Sequence, residues 1–171
     1  FIAGLMEHVK GITAVANPLV NSYKRIVPGF EAPCYLAWSA SNRSALIRIP
    51  ASRGNSTRVE LRSPDPSCNP YLELALCLVA GLDGIERGLT PPDEVTENIF
   101  GMNEAERKAN GIDSLPGTLL EAVQEIEKDK LLMDTLGPHA GPTFTAGKRK
   151  EWEDYCRQVT DWEIKRYSVV Y

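Results

Sequence analysis

The chain reads as an α+β protein, mostly helical with a small antiparallel sheet. Three observations predict this. Apolar residues recur at helical spacing near the start, in the middle and through much of the second half. Three short alternating segments cluster between residues 34 and 62. "SPDPSCNP" then breaks the strands before a long helix. With 171 residues, 43% hydrophobic and 25% charged, the chain is long enough for one domain with a real core.

Residues 1–16 form the first expected helix, with Ile2, Leu5, Val9, Ile12 and Ala16 near one face. Asn17-Pro18 ends it and can start a short helix in "LVNSYKRI", with Asn17 as N-cap. "VPGFEAP", residues 27–33, is bracketed by prolines and reads as a loop. The strands follow as "CYLAWSA", "SALIRIP" and "STRVELR", with a turn at Gly54-Asn55 between the last two. Asn69-Pro70 caps a helix to about Gly88 that is apolar on most of its circumference and so expected to be buried. "TLLEAVQEIEKDKLLMDTLG" is amphipathic, with Leu119, Val123 and Ile126 inward and a second short helix after Asp129. A last long helix should break near Thr160-Asp161.

Charge is unevenly placed. The net charge of −4 argues against nucleic acid as a partner. Yet the segment from Lys24 to Arg62 carries +5 and the remainder −9. Six of its seven basic residues are arginines: Arg25, Arg43, Arg48, Arg53, Arg58 and Arg62. Arginine presents a planar fork that matches carboxylate and phosphate. An arginine-rich zone in an acidic protein predicts a small anionic ligand.

Two carboxylates interrupt the zone. In "STRVELRSPDP", alternation sets Val59 and Leu61 on one side and Arg58, Glu60 and Arg62 on the other. Glu60 is either an ion-pair partner or a ligand for Mg²⁺ or Mn²⁺, which take carboxylate oxygens. Glu31 lies on the proline-bounded loop beside Gly29. It is either an exposed loop carboxylate or a general base on a flap that closes over substrate.

Other chemistries are disfavoured. Cys34, Cys68, Cys77 and Cys156 form no C-x-x-C pair and read as reduced thiols used as small hydrophobes, which suits a reducing cytoplasm. His8 and His139 lack metal-ligand spacing and read as structural or surface residues. The longest apolar run, Leu74 to Ala80, is far too short to span a bilayer. No signal peptide is evident, and the start at Phe1 without Met suggests an excised piece of a longer chain.

The blocks "NPLVNSYKRIVPGFEAP", "NRSALIRIP", "RVELRSPDPSCNPYL" and "AGLDGIERGL" resemble the C-terminal part of the catalytic, guanido-kinase-like domain of type I glutamine synthetase. The similarity covers the whole chain. The resemblance implies a cytoplasmic ligase. ATP phosphorylates the γ-carboxylate of glutamate, and ammonia then attacks the γ-glutamyl phosphate.

It divides the chain into helices (1–26), a flap loop (27–33), active-site strands (34–63) and a helical C-terminal region (69–171). It also implies roles. Arg25 and Arg62 would hold the carboxylates of glutamate. Glu31 would sit on the flap and take a proton from ammonium. Arg43 would contact glutamate, the transferring phosphoryl group and ATP. Arg48 and Arg58 would bind nucleotide phosphates, with Arg53 a weaker candidate. Glu60 would be a ligand of Mg²⁺ or Mn²⁺.

Ser41 departs from the arginine many relatives have there. Phe100 stands about where one subgroup carries an adenylylated tyrosine, so that control is not expected. The remaining metal ligands would lie upstream of Phe1, so this piece is expected to be inactive alone. The expected assembly is a dodecamer of two hexameric rings, with the tail "WEIKRYSVVY" between rings. The rival readings are a γ-glutamyl ligase for another amine and a non-catalytic structural relative.

Overall fold

The computed structural model describes residues 1–169. Helix α1 (Ile2–Ala16) runs through the middle of the molecule and packs against α2 (Pro70–Glu86) and α4 (Leu119–Lys128). The long α5 (Lys130–Cys156) closes the bundle against α4 and α2. The short α3 (Glu104–Ala109) and α6 (Asp161–Tyr167) lie outside it, with no buried residues.

The periodicity of α1 understates its burial. The expected stripe is present, but Ala3, Gly4, His8, Gly11, Thr13, Ala14 and Val15 are buried as well. Two glycines explain how neighbours reach its other sides. A Cβ on Gly4 would lie 2.0 Å from the Ala80 carbonyl oxygen, and one on Gly84 2.5 Å from the Gly4 nitrogen. The backbones of α1 and α2 therefore touch, which only glycine permits. The core joins Leu5, Val9 and Ile12 to Leu76, Leu119, Val123, Ile126 and Leu132. Each such side chain contributes about 1.5–3 kcal/mol on full burial.

Local signals place several boundaries as expected. The Asn69 side chain accepts from the backbone of Tyr71 at 3.0 Å, with Pro70 opening α2. α5 follows Asp129 and breaks at Gly137 (φ 82°), so its first turns form the expected short helix. Thr160 caps α6 through Glu163, which marks the expected break.

Two expectations about the helices need correction. The α2 helix is not buried all round: Leu76, Ala80, Gly81 and Gly84 face the bundle, while Tyr71, Leu74, Leu78, Leu82 and Ile85 are exposed. Its composition is apolar on two sides, but the described residues cover only one. Asn17 does not cap the next helix. That helix is a 3₁₀ turn, Val20–Lys24, with Leu19 at its N-cap.

The three strands are short: β1 (Trp38–Ser39), β2 (Ile47–Arg48) and β3 (Glu60–Leu61). The small sheet is mixed. β2 and β3 pair antiparallel, with Arg48 opposite Glu60, whereas β1 and β2 pair parallel. Parallel partners usually need a crossover of a dozen residues. Here each strand pairs over two residues, so the 40–46 loop suffices to turn the chain back. Residues 34–36 leave the sheet altogether: Leu36 donates to Asp113 at 2.7 Å, and Leu115 donates to Cys34 at 2.8 Å.

Behind the sheet, buried His8 clasps the helices. Its Nδ1 lies 2.6 Å from Asp129 and its Nε2 3.1 Å from Asp83. Ionised carboxylates only accept, so the two contacts together favour an imidazolium that donates from both nitrogens. Asp83 is shared with Arg87, which also approaches Glu7 at 3.7 Å. Burial pushes the His8 pKa down, but the two carboxylates outweigh it and raise the pKa above the ordinary value. A raised folded pKa contributes stability that is complete below the unfolded value, about 6.5, and is lost as pH rises through the folded value. An NMR titration of the His8 ring is expected to give a midpoint above about 6.5. Thermal unfolding should show His8→Gln to be less stable than the parent at mildly acidic pH, with the gap narrowing as the medium becomes alkaline. A midpoint at or below the ordinary value would show that the ring is not held as a cation.

Candidate active site

The register of β2 and β3 builds the site. Arg48 and Glu60 are direct cross-strand partners, so their side chains meet on one face. Arg48 grips one Glu60 oxygen from Nε at 2.9 Å and Nη2 at 2.7 Å. Arg58 grips the other oxygen with the same distances, 2.9 and 2.7 Å. Burial would raise the Glu60 pKa, but these two guanidiniums outweigh it and hold the carboxyl below the usual range. The two arginines on Glu60 are thus Arg48 and Arg58, not the Arg58 and Arg62 that alternation along one strand puts beside it.

Arg62 makes its hydrogen bonds elsewhere. Its Nη1 donates to the carbonyls of Arg43 and Ala45, the latter at 3.0 Å. Burial and the like charges of Arg48 and Arg43 lower its pKa, against the pull of Glu60 and Glu31. This cationic crowding favours an incoming anion.

Arg62 and Arg43 line a cavity of about 820 Å³ with Gly29, Phe30, Glu31, Asn42, Ser44, Asn98 and Phe100. The proline-bounded loop forms one wall, with Gly29 at φ 94° turning the chain there. Glu31 is exposed and lines the cavity as the loop reading requires.

Arg43 is held by its neighbours. Asn42 accepts from the backbone and hydroxyl of Ser44 at 2.9 and 2.7 Å, and donates to the carbonyls of Val95 and Glu97. Ser44 in turn accepts from Ile99 at 3.2 Å. Glu94 accepts from Ser39 and from the backbone of Ala40 at 2.9 and 2.8 Å, which draws its pKa down. The "NRS" loop is therefore bolted to residues 94–99. Sequence reasoning passed over Asn42, Ser44 and Asn98. Asparagine and serine side chains that bond nearby backbone are the available signal.

Two arginines lie apart from this cavity. Arg53 folds onto its own turn and donates to the Ser52 carbonyl at 3.1 Å. Arg25 points inward, donating from Nη2 to Asn17 at 2.9 Å and to the Ser63 carbonyl. Arg48, Arg58 and Glu60 lie beyond the cavity's lining, on the sheet face next to Arg62. A second cleft, about 670 Å³, contains Asp93, Glu94 and Glu97 with no basic side chain, so it does not suit an anion.

A hard divalent ion matches Glu60 in donor type. However, both Glu60 oxygens are engaged by guanidiniums, and no group of three His, Cys, Asp or Glu among the described residues could hold a metal. These residues alone do not build a metal site. Among them, no helix is long and apolar enough to cross a membrane.

The Glu60 pairing has a pH signature. A depressed folded pKa contributes stability that is present above the unfolded value, about 4.3, and is lost as pH falls through the folded value. Glu60→Ala should unfold at lower temperature than the parent near neutrality and converge with it in acid. A constant difference across that range would show that the carboxylate charge is not what holds Arg48 and Arg58.

Comparison with known proteins shows the family to which this chain belongs. The family profile described as "Glutamine synthetase, catalytic domain" matches residues 1–167. A glutamine synthetase from Clostridium saccharobutylicum is 60% identical over 171 residues, all of this chain and 39% of the relative. One from Thermus thermophilus is 56% identical, again over the whole chain and 38% of its own length. The solved structure of a GmaS/ADP complex superposes with a TM-score of 0.84 at 39% identity, over 97% of this chain and 38% of that one. Ligand-free GmaS gives 0.80 at 38% identity, over 99% and 37%. The chain thus spans less than two-fifths of the length of these relatives. It belongs to the glutamine synthetase family and carries part of that family's catalytic domain.

Proposed function

We propose that this chain forms the arginine-rich side of the active site of a glutamate–ammonia ligase. The observation that carries the reading is the cavity shared by Glu31, Arg43 and Arg62, beside a sheet face where Arg48 and Arg58 flank Glu60. A substrate with two carboxylates and a transferring phosphoryl group needs several fixed cations around one space. The ADP complex of a structural neighbour supports a nucleotide on this scaffold. Identity of 60% to a glutamine synthetase, against 39% to GmaS, favours glutamine as the product.

Arg62 and Arg25 hold the carboxylates of glutamate. Arg25 has both of its hydrogen bonds among the described residues on Nη2 and its Nε is buried, which leaves Nη1 for a carboxylate. The γ-carboxylate oxygen attacks the terminal phosphorus of ATP and ADP leaves. Arg43 balances charge on the phosphoryl group in flight, and Arg48 and Arg58 hold nucleotide phosphates. Glu31 takes a proton from ammonium, and its loop shields the acyl phosphate from water. Ammonia then forms the C–N bond as phosphate departs. Mg²⁺ or Mn²⁺ would neutralise nucleotide phosphates when bound; Glu60 would contribute an oxygen only on release from Arg48 or Arg58, with the other ligands coming from outside these residues.

In the full-length protein, phosphate release should require glutamate, ATP and ammonium together. Arg43→Ala should lower turnover by about 100-fold or more, while the 171-residue chain alone should release none. Undiminished turnover in Arg43→Ala would remove the phosphoryl-transfer role.

The same reading bears on assembly. Val159, Trp162, Ile164, Tyr167 and Val169 are exposed at the end of the chain, and Val170 and Tyr171 lie outside the described residues. Exposed apolar residues at this density suit burial against another subunit, here between two hexameric rings. Deleting residues 161–171 should leave folded rings and weaken their stacking, as read by light scattering. A truncated protein that stays a dodecamer of unchanged stability would place the tail within its own subunit.

A further inference from the structure

Asn17 ends α1, lines neither cavity described above and is completely buried, at 0% exposure. Its Oδ1 accepts from Arg25 Nη2 at 2.9 Å. The same Nη2 donates to the carbonyl of Ser63, the residue that follows Arg62. Arg62 then donates to the carbonyls of Arg43 and Ala45. A continuous set of contacts therefore runs from the end of α1 to the two arginines that line the cavity.

The amide is an unusual choice at this point. Its Nδ2 is buried without a partner among the described residues, as are Arg25 Nε and Ser63 Oγ. An unpartnered buried donor is costly, so the one bond the amide does make carries its use. The helix does not need that side chain, because the Asn17 backbone N–H already closes it on Thr13 at 2.8 Å. One acceptor on a guanidinium nitrogen leaves the plane free to rotate about that bond. Two acceptors, one on α1 and one after β3, fix the plane and therefore where the free edge points.

We infer that Asn17 is a positioning residue, which sets the guanidinium of Arg25 and, through it, the Ser63 carbonyl one residue beyond Arg62. The inference rests on the reading above that Arg25 holds a carboxylate of glutamate. Asn17 touches no substrate in that scheme, so its effect travels only through Arg25.

The test is steady-state kinetics of the full-length enzyme, with glutamate and ATP varied separately. Asn17→Ala should raise the KM for glutamate about ten-fold. The KM for ATP should stay within about two-fold of the parent. Asn17→Asp, which keeps the shape and the acceptor, should recover the parent's glutamate KM to within about two-fold. Once Arg25→Ala is in place, adding Asn17→Ala should change the glutamate KM by less than about two-fold. Equal effects on both KM values, additive effects with Arg25→Ala, or failure of Asn17→Asp to recover affinity would each overturn the inference. If Arg25→Ala itself leaves the glutamate KM unchanged, the assignment of Arg25 fails as well. A large effect of Arg25→Ala with none from Asn17→Ala sinks the inference alone. Should Asn17→Ala not fold by circular dichroism, Asn17→Ser is judged by the same criteria. If neither folds, Asn17 is a purely structural residue and the inference is wrong.

Discussion

Crowded positive charge is the constraint on which this site depends. Six arginines fall between residues 25 and 62, with only Glu31 and Glu60 among them. Left free, those guanidiniums would repel one another and drift into solvent. The fold prevents this chiefly with backbone carbonyls. Arg25 is held by Ser63, Arg62 by Arg43 and Ala45, and Arg58 by Ser56 at 3.2 Å. Carbonyls fix a cation without cancelling its charge. The cluster therefore stays electropositive and ordered, which is preorganisation in the sense that matters for binding an anion. Glu60 is the exception, and one carboxylate divided between Arg48 and Arg58 leaves that trio with a net positive charge.

The helices serve this arrangement by being immovable. α1 lies at the centre because Gly4, Gly84 and Gly11 let neighbours approach its backbone. Its C-terminal end holds Asn17, and the carbonyl of Ala16 accepts from Asp65 at 2.8 Å. The β3 exit is therefore tied to the best-packed helix in the molecule. The His8 clasp secures the same helix to α2 and to the start of α5. A site whose cations must be placed to a fraction of an ångström gains from such rigid support.

The cavity loops use different means. Neither 27–33 nor 40–46 has regular structure, and their order comes from side chains that substitute for a ladder. Asn42, Ser44 and Ser39 bond to residues 94–99 across more than fifty positions of sequence. The 27–33 loop has no comparable fastening among the described residues: Gly29, Phe30 and Glu31 are exposed. That difference sets a fastened loop and an exposed one on two walls of the same cavity.

Much of this was determined by local sequence. The start of α2 at Asn69-Pro70, the break before α6 at Thr160 and the proline-bounded loop at 27–33 follow from capping and turn chemistry, which acts over four or five residues. The arginine zone and its two carboxylates were visible because charge composition needs no structure. Tertiary structure decided what those residues touch. Alternation along one strand pairs Glu60 with Arg62, but the β2–β3 register gives Glu60 to Arg48, twelve positions away. Asn17 has the local signature of an N-cap and became the acceptor for Arg25 instead, because burial at the end of α1 brought that guanidinium to it. The parallel pairing of β1 with β2 and the exposed face of α2 were equally out of reach. Periodicity reports which faces of an element are apolar, and only the packed chain determines which of them finds a partner.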